Sequence, residues 1–358
     1  MPFLTSRRGD EVVRTKTTIN IWLACFFGIA ALTLGLIATF NYVVDPFSMY
    51  RRDGLYLKNH NFQRQVGAGL IRTTGHPKAL VVGNSYLANI DPKKVEEVYG
   101  LETEVISQWG LSQTDIKTVT RYALSYMSDV ELVIIGTPVW AVCENSPHPT
   151  NPLPLDLYSD YYWADIQYLL SWDTINNSWE KITTKRGFSK DPSDVFRWYN
   201  SFRDAFGDAA AMRSRYEKLS TPEEKVPVAD EVTDARGTRL ADCLIRMAQD
   251  FSEDYPNIRF KYLNTPHYQW WYYRYWLASY LESFQDALTK ISYGMKDIPK
   301  AEFFDFYAAT QWINDCKNFR DLGHFGLSVG DEMIEATYSG EYIRSPESSP
   351  YMANKSLS

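Results

Sequence analysis

One run of residues constrains this chain more than any other: "INIWLACFFGIAALTLGLIATF", from Ile19 to Phe40, carries no charged side chain. In a bilayer interior a single segment satisfies its own backbone N–H and C=O groups only as a helix, because no water is there to pair with them. At 1.5 Å per residue the run is about 33 Å long, against a hydrocarbon core of ~30 Å. One transmembrane helix is therefore expected over residues 19–41, after a short cytoplasmic tail at 1–18. Arg7, Arg8, Arg14 and Lys16 precede the run and Asp45 is the first charge after it. The positive-inside rule then puts the N-terminus in the cytoplasm and everything after Asn41 outside, in a periplasm or at a cell surface. A cleaved signal peptide is the competing reading. Its apolar core would be shorter and would end in small residues, and "IATFNYVVDP" offers a poor cleavage site.

A net charge of -7 over 358 residues gives no electrostatic footprint for nucleic acid. Four cysteines are too few for a disulfide framework: Cys25 lies in the apolar run, leaving Cys143, Cys243 and Cys316 far apart and odd in number. No CxxC or HExxH spacing occurs and the five histidines are scattered, so neither a metal site nor a cofactor is expected.

Residues 42–75, beginning "YVVDPFSMYRRDG", form a membrane-proximal lead-in without strong periodicity. From Lys78 short apolar runs alternate with amphipathic segments. "KALVVG", "TEVISQ", "ELVIIG", "NIRFKYLN" and "AEFFDFY" read as strands; "DPKKVEEVYG", "SQTDIKTVTRYALSYM", "GTRLADCLIRMAQDFSEDYP", "QWWYYRYWLASYLESFQDALTKIS" and a segment from about Leu327 read as helices. This alternation predicts an α/β fold, a flavodoxin-like three-layer sandwich around a five-stranded parallel sheet. The domain spans 76–338. Residues 140–235, rich in Pro, Asn, Tyr and Trp, break the rhythm and read as an inserted cap, and the polar tail 339–358 is expected to be disordered.

In doubly wound sheets ligands bind outside the carboxyl ends of the strands. "VVGNSYLANIDP" puts Asn84 and Ser85 on the turn after the first strand, "QWGLS" puts Gly110 after the second, "IIGTPVW" follows the third, and "RDLGHFG" follows the fifth. All four fall on one rim. A serine hydroxyl becomes a nucleophile when a base removes its proton, and an imidazole held by a carboxylate is such a base. Ser85, His324 and Asp321 supply these groups. The amides of Ser85 and Gly110 are placed to receive an oxyanion, where losing one donor typically costs ~3 kcal/mol of transition-state stabilisation. For "RDLGHFG" alone the competing reading is a helix start, with Asp321 capping and His324 solvated.

These blocks resemble blocks I, II and V of the SGNH hydrolase superfamily. Together with the anchor and the "VVDPF" lead-in, "DLGHFG" is similar to its membrane-anchored branch, the DltD-, AlgX- and AlgJ-like proteins of polysaccharide O-acetylation. The resemblance covers roughly residues 76 to 338 in order of elements and is specific only at the short blocks. It implies Ser85 as nucleophile, His324 as base, Asp321 as orienting acid and Gly110 as oxyanion donor. Block I reads GNS here where GDS is usual. The block III pattern G-x-N-D is replaced by "GTPVW", so the Asn that would complete the oxyanion hole is absent.

Aromatic residues make up 15% of the chain, and "HYQWWYYRYW" follows the fourth strand directly. Aromatic faces beside polar groups suit a sugar chain. Trp270, Tyr273 and Leu277 recur at helical spacing and read as packing. Asn84, Trp140, His267, Tyr268 and Trp271 are read as substrate contacts, and His267 is the rival base. Three functions remain: an extracytoplasmic O-acyltransferase acting on a polysaccharide acceptor and charged by a multi-spanning membrane acyltransferase, a polysaccharide acetylesterase, and a non-catalytic polysaccharide-binding or assembly subunit.

Overall fold

The computed structural model describes residues 7–136, 152–159, 161–197, 206–219, 230–271 and 281–344. The chain divides into two compact units, one of Met1–Pro46 with Ser159–Arg186 and one of Phe47–Tyr158 with Gly187–Ser358.

The described residues of the first unit form three helices: α1 (Arg7–Val44), α5 (Tyr162–Leu170) and α6 (Trp172–Thr183). Within α1 the segment Thr18–Val44 is long and apolar enough to cross a membrane, and its most apolar window is wholly unburied. The end of α1 is where the other two helices attach. Asn41 Nδ2 donates to the Leu169 carbonyl at 2.7 Å, Tyr168 Oη donates to Asp45 Oδ1 at 2.8 Å, and Lys181 Nζ donates to the Asp45 carbonyl at 3.0 Å. Asp45 sits at φ 47°, in the left-handed region that Asp tolerates better than most residues. Thus Ser159–Arg186, inside the stretch read as a cap, belongs with α1.

The second unit is the α/β domain. Its strands are β2 (Ala79–Gly83), β3 (Thr103–Ser107), β4 (Leu132–Gly136), β6 (Arg259–Asn264) and β7 (Ala301–Asp305), all parallel, in the order β3-β2-β4-β6-β7. The five-stranded parallel sheet expected from the sequence is present, each strand within two residues of its apolar run. Every residue of β2 and β4 is buried, which is why these strands appear as unbroken apolar runs rather than alternations. A two-residue antiparallel pair, β1 (Tyr56–Leu57) with β5 (Phe188–Ser189), is additional and has no sequence signal of its own.

The remaining described helices are α2 (Gln63–Thr73), α3 (Pro92–Tyr99), α4 (Gln113–Tyr126), α7 (Ala209–Leu219), α8 (Asp230–Asp254), α9 (Leu281–Met295), α10 (Thr310–Ile313) and α11 (Leu327–Ser339). Their ends follow from local chemistry. Asp91 caps α3 through Lys93 N, Pro92 occupies its first turn and Gly100 closes it at φ 68°; Ser112 and Asp115 form a reciprocal capping box on α4.

β2 is flanked by β3, to which the chain runs next, and by β4 on its other side, so the connections diverge there and open a crevice at the carboxyl ends. Leu87 fills part of it: a Cβ at Gly83 would lie 2.8 Å from Leu87 Cδ1, and one at Gly136 2.5 Å from Leu87 Cγ. Glycine at both strand ends lets the turn after β2 settle onto the sheet. The fold extends past α11, where Arg344 donates from Nη1 to buried Asp305 at 2.8 Å.

Candidate active site

The turn after β2 is set by Asn84, whose Oδ1 accepts from Tyr86 N at 3.1 Å and so caps the 3-10 turn Ser85–Leu87. Ser107 Oγ donates to the Asn84 carbonyl at 2.6 Å and Gln108 N donates to Gly83 O at 3.0 Å, locking the end of β3 beside this turn. Ser85 lies half-buried at its start.

The loop that carries Asp321 and His324 is pinned by its apolar residues. Phe319, Leu322 and Phe325 are buried in the core, Arg320 N donates to His324 O, and Gly326 N donates to Asn318 O. Asn89 Nδ2 donates to the Phe325 carbonyl at 2.9 Å, tying this loop to the segment following Ser85. Gly323 is required by close approach: a Cβ there would meet Tyr86 Cε1 at 2.8 Å. α11 begins at Gly326 without a side-chain cap, so Asp321 is not a helix cap.

Between these anchors the polar groups form a line. Ser85 Oγ lies 3.0 Å from His324 Nε2, and His324 Nδ1 lies 2.8 Å from Asp321 Oδ1 and 3.0 Å from Oδ2. Asp321 Oδ1 also accepts from the amides of Gly323 and His324, each at 3.0 Å, and Arg320 Nε lies 3.3 Å from Oδ2. Burial alone would raise the Asp321 carboxyl. The hydrogen bond and charge of His324, the Gly323 amide and the Arg320 charge outweigh it and hold the group well below the usual carboxylate range. An ionised Asp321 only accepts, so it fixes the proton on Nδ1 and leaves the Nε2 lone pair facing Ser85.

His324 rests against Tyr86, ring centroids 5.0 Å apart, and Tyr86 also lies against His267, at 4.7 Å. His267 is fully buried, with Nδ1 3.0 Å from the Thr265 carbonyl, and burial takes it down to about 3. So low a value makes it a weak proton acceptor, and the imidazole within hydrogen-bond distance of Ser85 Oγ is that of His324. Tyr268 is buried among core residues, its ring 5.8 Å from Phe319, and Trp271 packs half-buried against the same core. The side chains of His267 and Tyr268 face protein rather than a ligand space, and that of Asn84 is used as a cap. Trp140 and Cys143 lie outside the described residues.

The His267 environment makes stability pH-dependent. Folding lowers its pKa from 6.5 to about 3, so between those values the unfolded chain binds the extra proton and stability falls as pH falls. From pH 6.5, where the unfolded imidazole is half protonated, to 4.5 the loss is expected to be roughly 2 kcal/mol, the slope approaching about 1.36 kcal/mol per pH unit only below the unfolded pKa. Asp321 adds its own loss only below about pH 4, as its unfolded form protonates. Denaturant titrations of wild type and His267→Phe at the two pH values test this; an unchanged pH slope in the variant would contradict it.

Ser85 and His324 open onto a cavity of about 200 Å³ that is also lined by His60, Gln63, Ser107, Trp109, Phe196 and Arg320. His60 and Gln63 come from the lead-in. Gln63 Oε1 accepts from Trp109 N at 3.1 Å and Arg64 Nη2 donates to the carbonyls of Trp109 and Gly110 at 3.2 Å, so this segment shapes the loop after β3. Gly110 takes φ 69°, a conformation that favours glycine. Burial, with Lys58 and Arg320 nearby, lowers the His60 pKa. Among the described residues no cluster of three His, Cys, Asp or Glu is arranged to hold a metal. The lead-in contributions carry no sequence signal, whereas Trp109 and Arg320 fall within "QWGLS" and "RDLGHFG".

No family model matches the chain, and no curated protein matches it. Among solved structures it is matched to "a putative platelet activating factor from Streptococcus pneumonia", at 12% identity over 80% of this chain and 94% of that one, with a TM-score of 0.39. A likeness this slight carries no argument about activity.

Proposed function

We propose that the chain is a membrane-anchored serine acyltransferase of SGNH hydrolase type, moving an acetyl group through an acyl-Ser85 intermediate to a hydroxyl of an extracytoplasmic polysaccharide. The observation that carries this reading is the line from Ser85 Oγ through His324 to Asp321, opening on a cavity. His324 Nε2 takes the Ser85 proton as Oγ attacks the donor's acyl carbonyl, and Asp321 stabilises the imidazolium. The amides of Ser85 and Gly110 receive the oxyanion. Collapse expels the donor's leaving group, which takes the proton back from Nε2. The acceptor hydroxyl then loses its proton to Nε2 and attacks the acyl carbon, and Ser85 leaves reprotonated. A multi-spanning membrane acyltransferase would supply the donor.

Two features support the extracytoplasmic placement. Arg7, Arg8, Arg14 and Lys16 precede the apolar run and Asp45 is the first charge after it, and Cys243 is disulfide-bonded, as suits an oxidising compartment. A reporter active only outside the cytoplasm, fused after Ser358, is expected to work; activity of a cytoplasm-only reporter there would overturn the topology.

Transfer and hydrolysis differ only in the acceptor. With p-nitrophenyl acetate and a xylan or glucan oligosaccharide, transfer predicts acetylated oligosaccharide at the expense of free acetate while p-nitrophenol release continues. Acetate matching p-nitrophenol at every oligosaccharide concentration would assign the chain as an esterase instead. Absence of p-nitrophenol release would favour a binding subunit.

A further inference from the structure

Helix α6 is built with its polarity reversed. Its buried side chains are Thr174, Asn177, Ser178 and Lys181, none more than 5% exposed, whereas Trp172, Trp179 and Ile182 are 71%, 63% and 50% exposed. On α5 Tyr168 is buried while Trp163 and Ile166 are exposed. A helix lying between protein and water shows the opposite arrangement, its apolar stripe inward. The inward polar groups have a use: Lys181 and Tyr168 both bond to Asp45 at the end of α1.

The height of that attachment follows from α1, on the reading of this helix as a membrane anchor. Thr18–Val44 has 27 residues, about 40 Å at 1.5 Å each, some 10 Å more than the hydrocarbon core. Its last turns, with Asn41 and Asp45, therefore reach the headgroup layer. Helices fastened there with apolar faces outward meet lipid, and Trp and Tyr are enriched at that depth.

We propose that α5 and α6 lie in the outer interface of the bilayer, with Trp163, Ile166, Trp172, Trp179 and Ile182 set among headgroups and the upper acyl chains as a second, monotopic attachment. The occupant of this face is the lipid itself. Asp165, Asp173 and Glu180 leave the two helices without the basic face that would select anionic lipid, so a neutral bilayer suffices.

The test is spin labelling of the full-length chain in phosphatidylcholine nanodiscs, with Cys25→Ser and Cys316→Ser removing the thiols that are free among the described residues. Labels at Trp179→Cys and Ile182→Cys replace exposed side chains and leave the packing intact. Both are expected to collide with dissolved oxygen and to be shielded from a water-soluble nickel complex, giving an oxygen-to-nickel accessibility ratio several-fold above that of Lys93→Cys, an exposed position in the α/β domain. Water-like ratios at 179 and 182 beside a lipid-like ratio at Ile29→Cys would overturn the proposal, leave the anchor standing and give the face to a protein partner. Water-like ratios at all three would remove the anchor and the proposal together. Neither outcome depends on Ser85 chemistry.

Discussion

Asp321→Asn is expected to lower kcat/KM for p-nitrophenyl acetate by about 10⁴-fold without unfolding the protein, the loss that this change brings in a serine triad. The carboxylate accepts from three N–H groups, those of Gly323, His324 and the imidazole Nδ1. An amide can keep the two backbone bonds through its oxygen but turns its NH₂ toward the ring. The imidazole then carries its proton on Nε2, and the lone pair that should receive the Ser85 proton is gone. A variant within ten-fold of wild type would show that Asp321 serves the loop alone.

Ser85→Ala and His324→Ala are expected each to remove essentially all turnover, and the double variant to lose little more, because groups acting in one step are far from additive. Ser85 is half-buried on a turn and contributes only a hydroxyl, so the alanine variant should keep the wild-type melting temperature. Multiplicative losses in the double variant would mean that the two residues act in separate steps.

The strands were legible because burial on both faces makes them plain apolar runs, as in "ALVVG" and "LVIIG". The polar line was legible for a related reason: a turn at a strand end shows its reactive residue in local sequence, and Asp321 and His324 share one turn. What could not be read depended on long-range packing. His267 follows a strand and precedes a tryptophan-rich segment whether it faces a sugar or the core, and only its burial against Tyr86 separates the two. His60 and Gln63 reach the cavity from a stretch without periodicity. The reversed polarity of α6 is invisible until the partner of its polar face is known. Cys243 belongs to a disulfide, which the count and spacing of the cysteines leave open.

The most direct test of the account is to find the acyl group itself. Full-length protein mixed with p-nitrophenyl acetate, quenched in acid within the first turnover and digested, is predicted to carry one acetyl on the peptide containing Ser85. That adduct should be absent from Ser85→Ala and should not accumulate in His324→Ala. Acetylation spread over lysine peptides alone, or an adduct undiminished in Ser85→Ala, would contradict the assignment of Ser85 as the nucleophile.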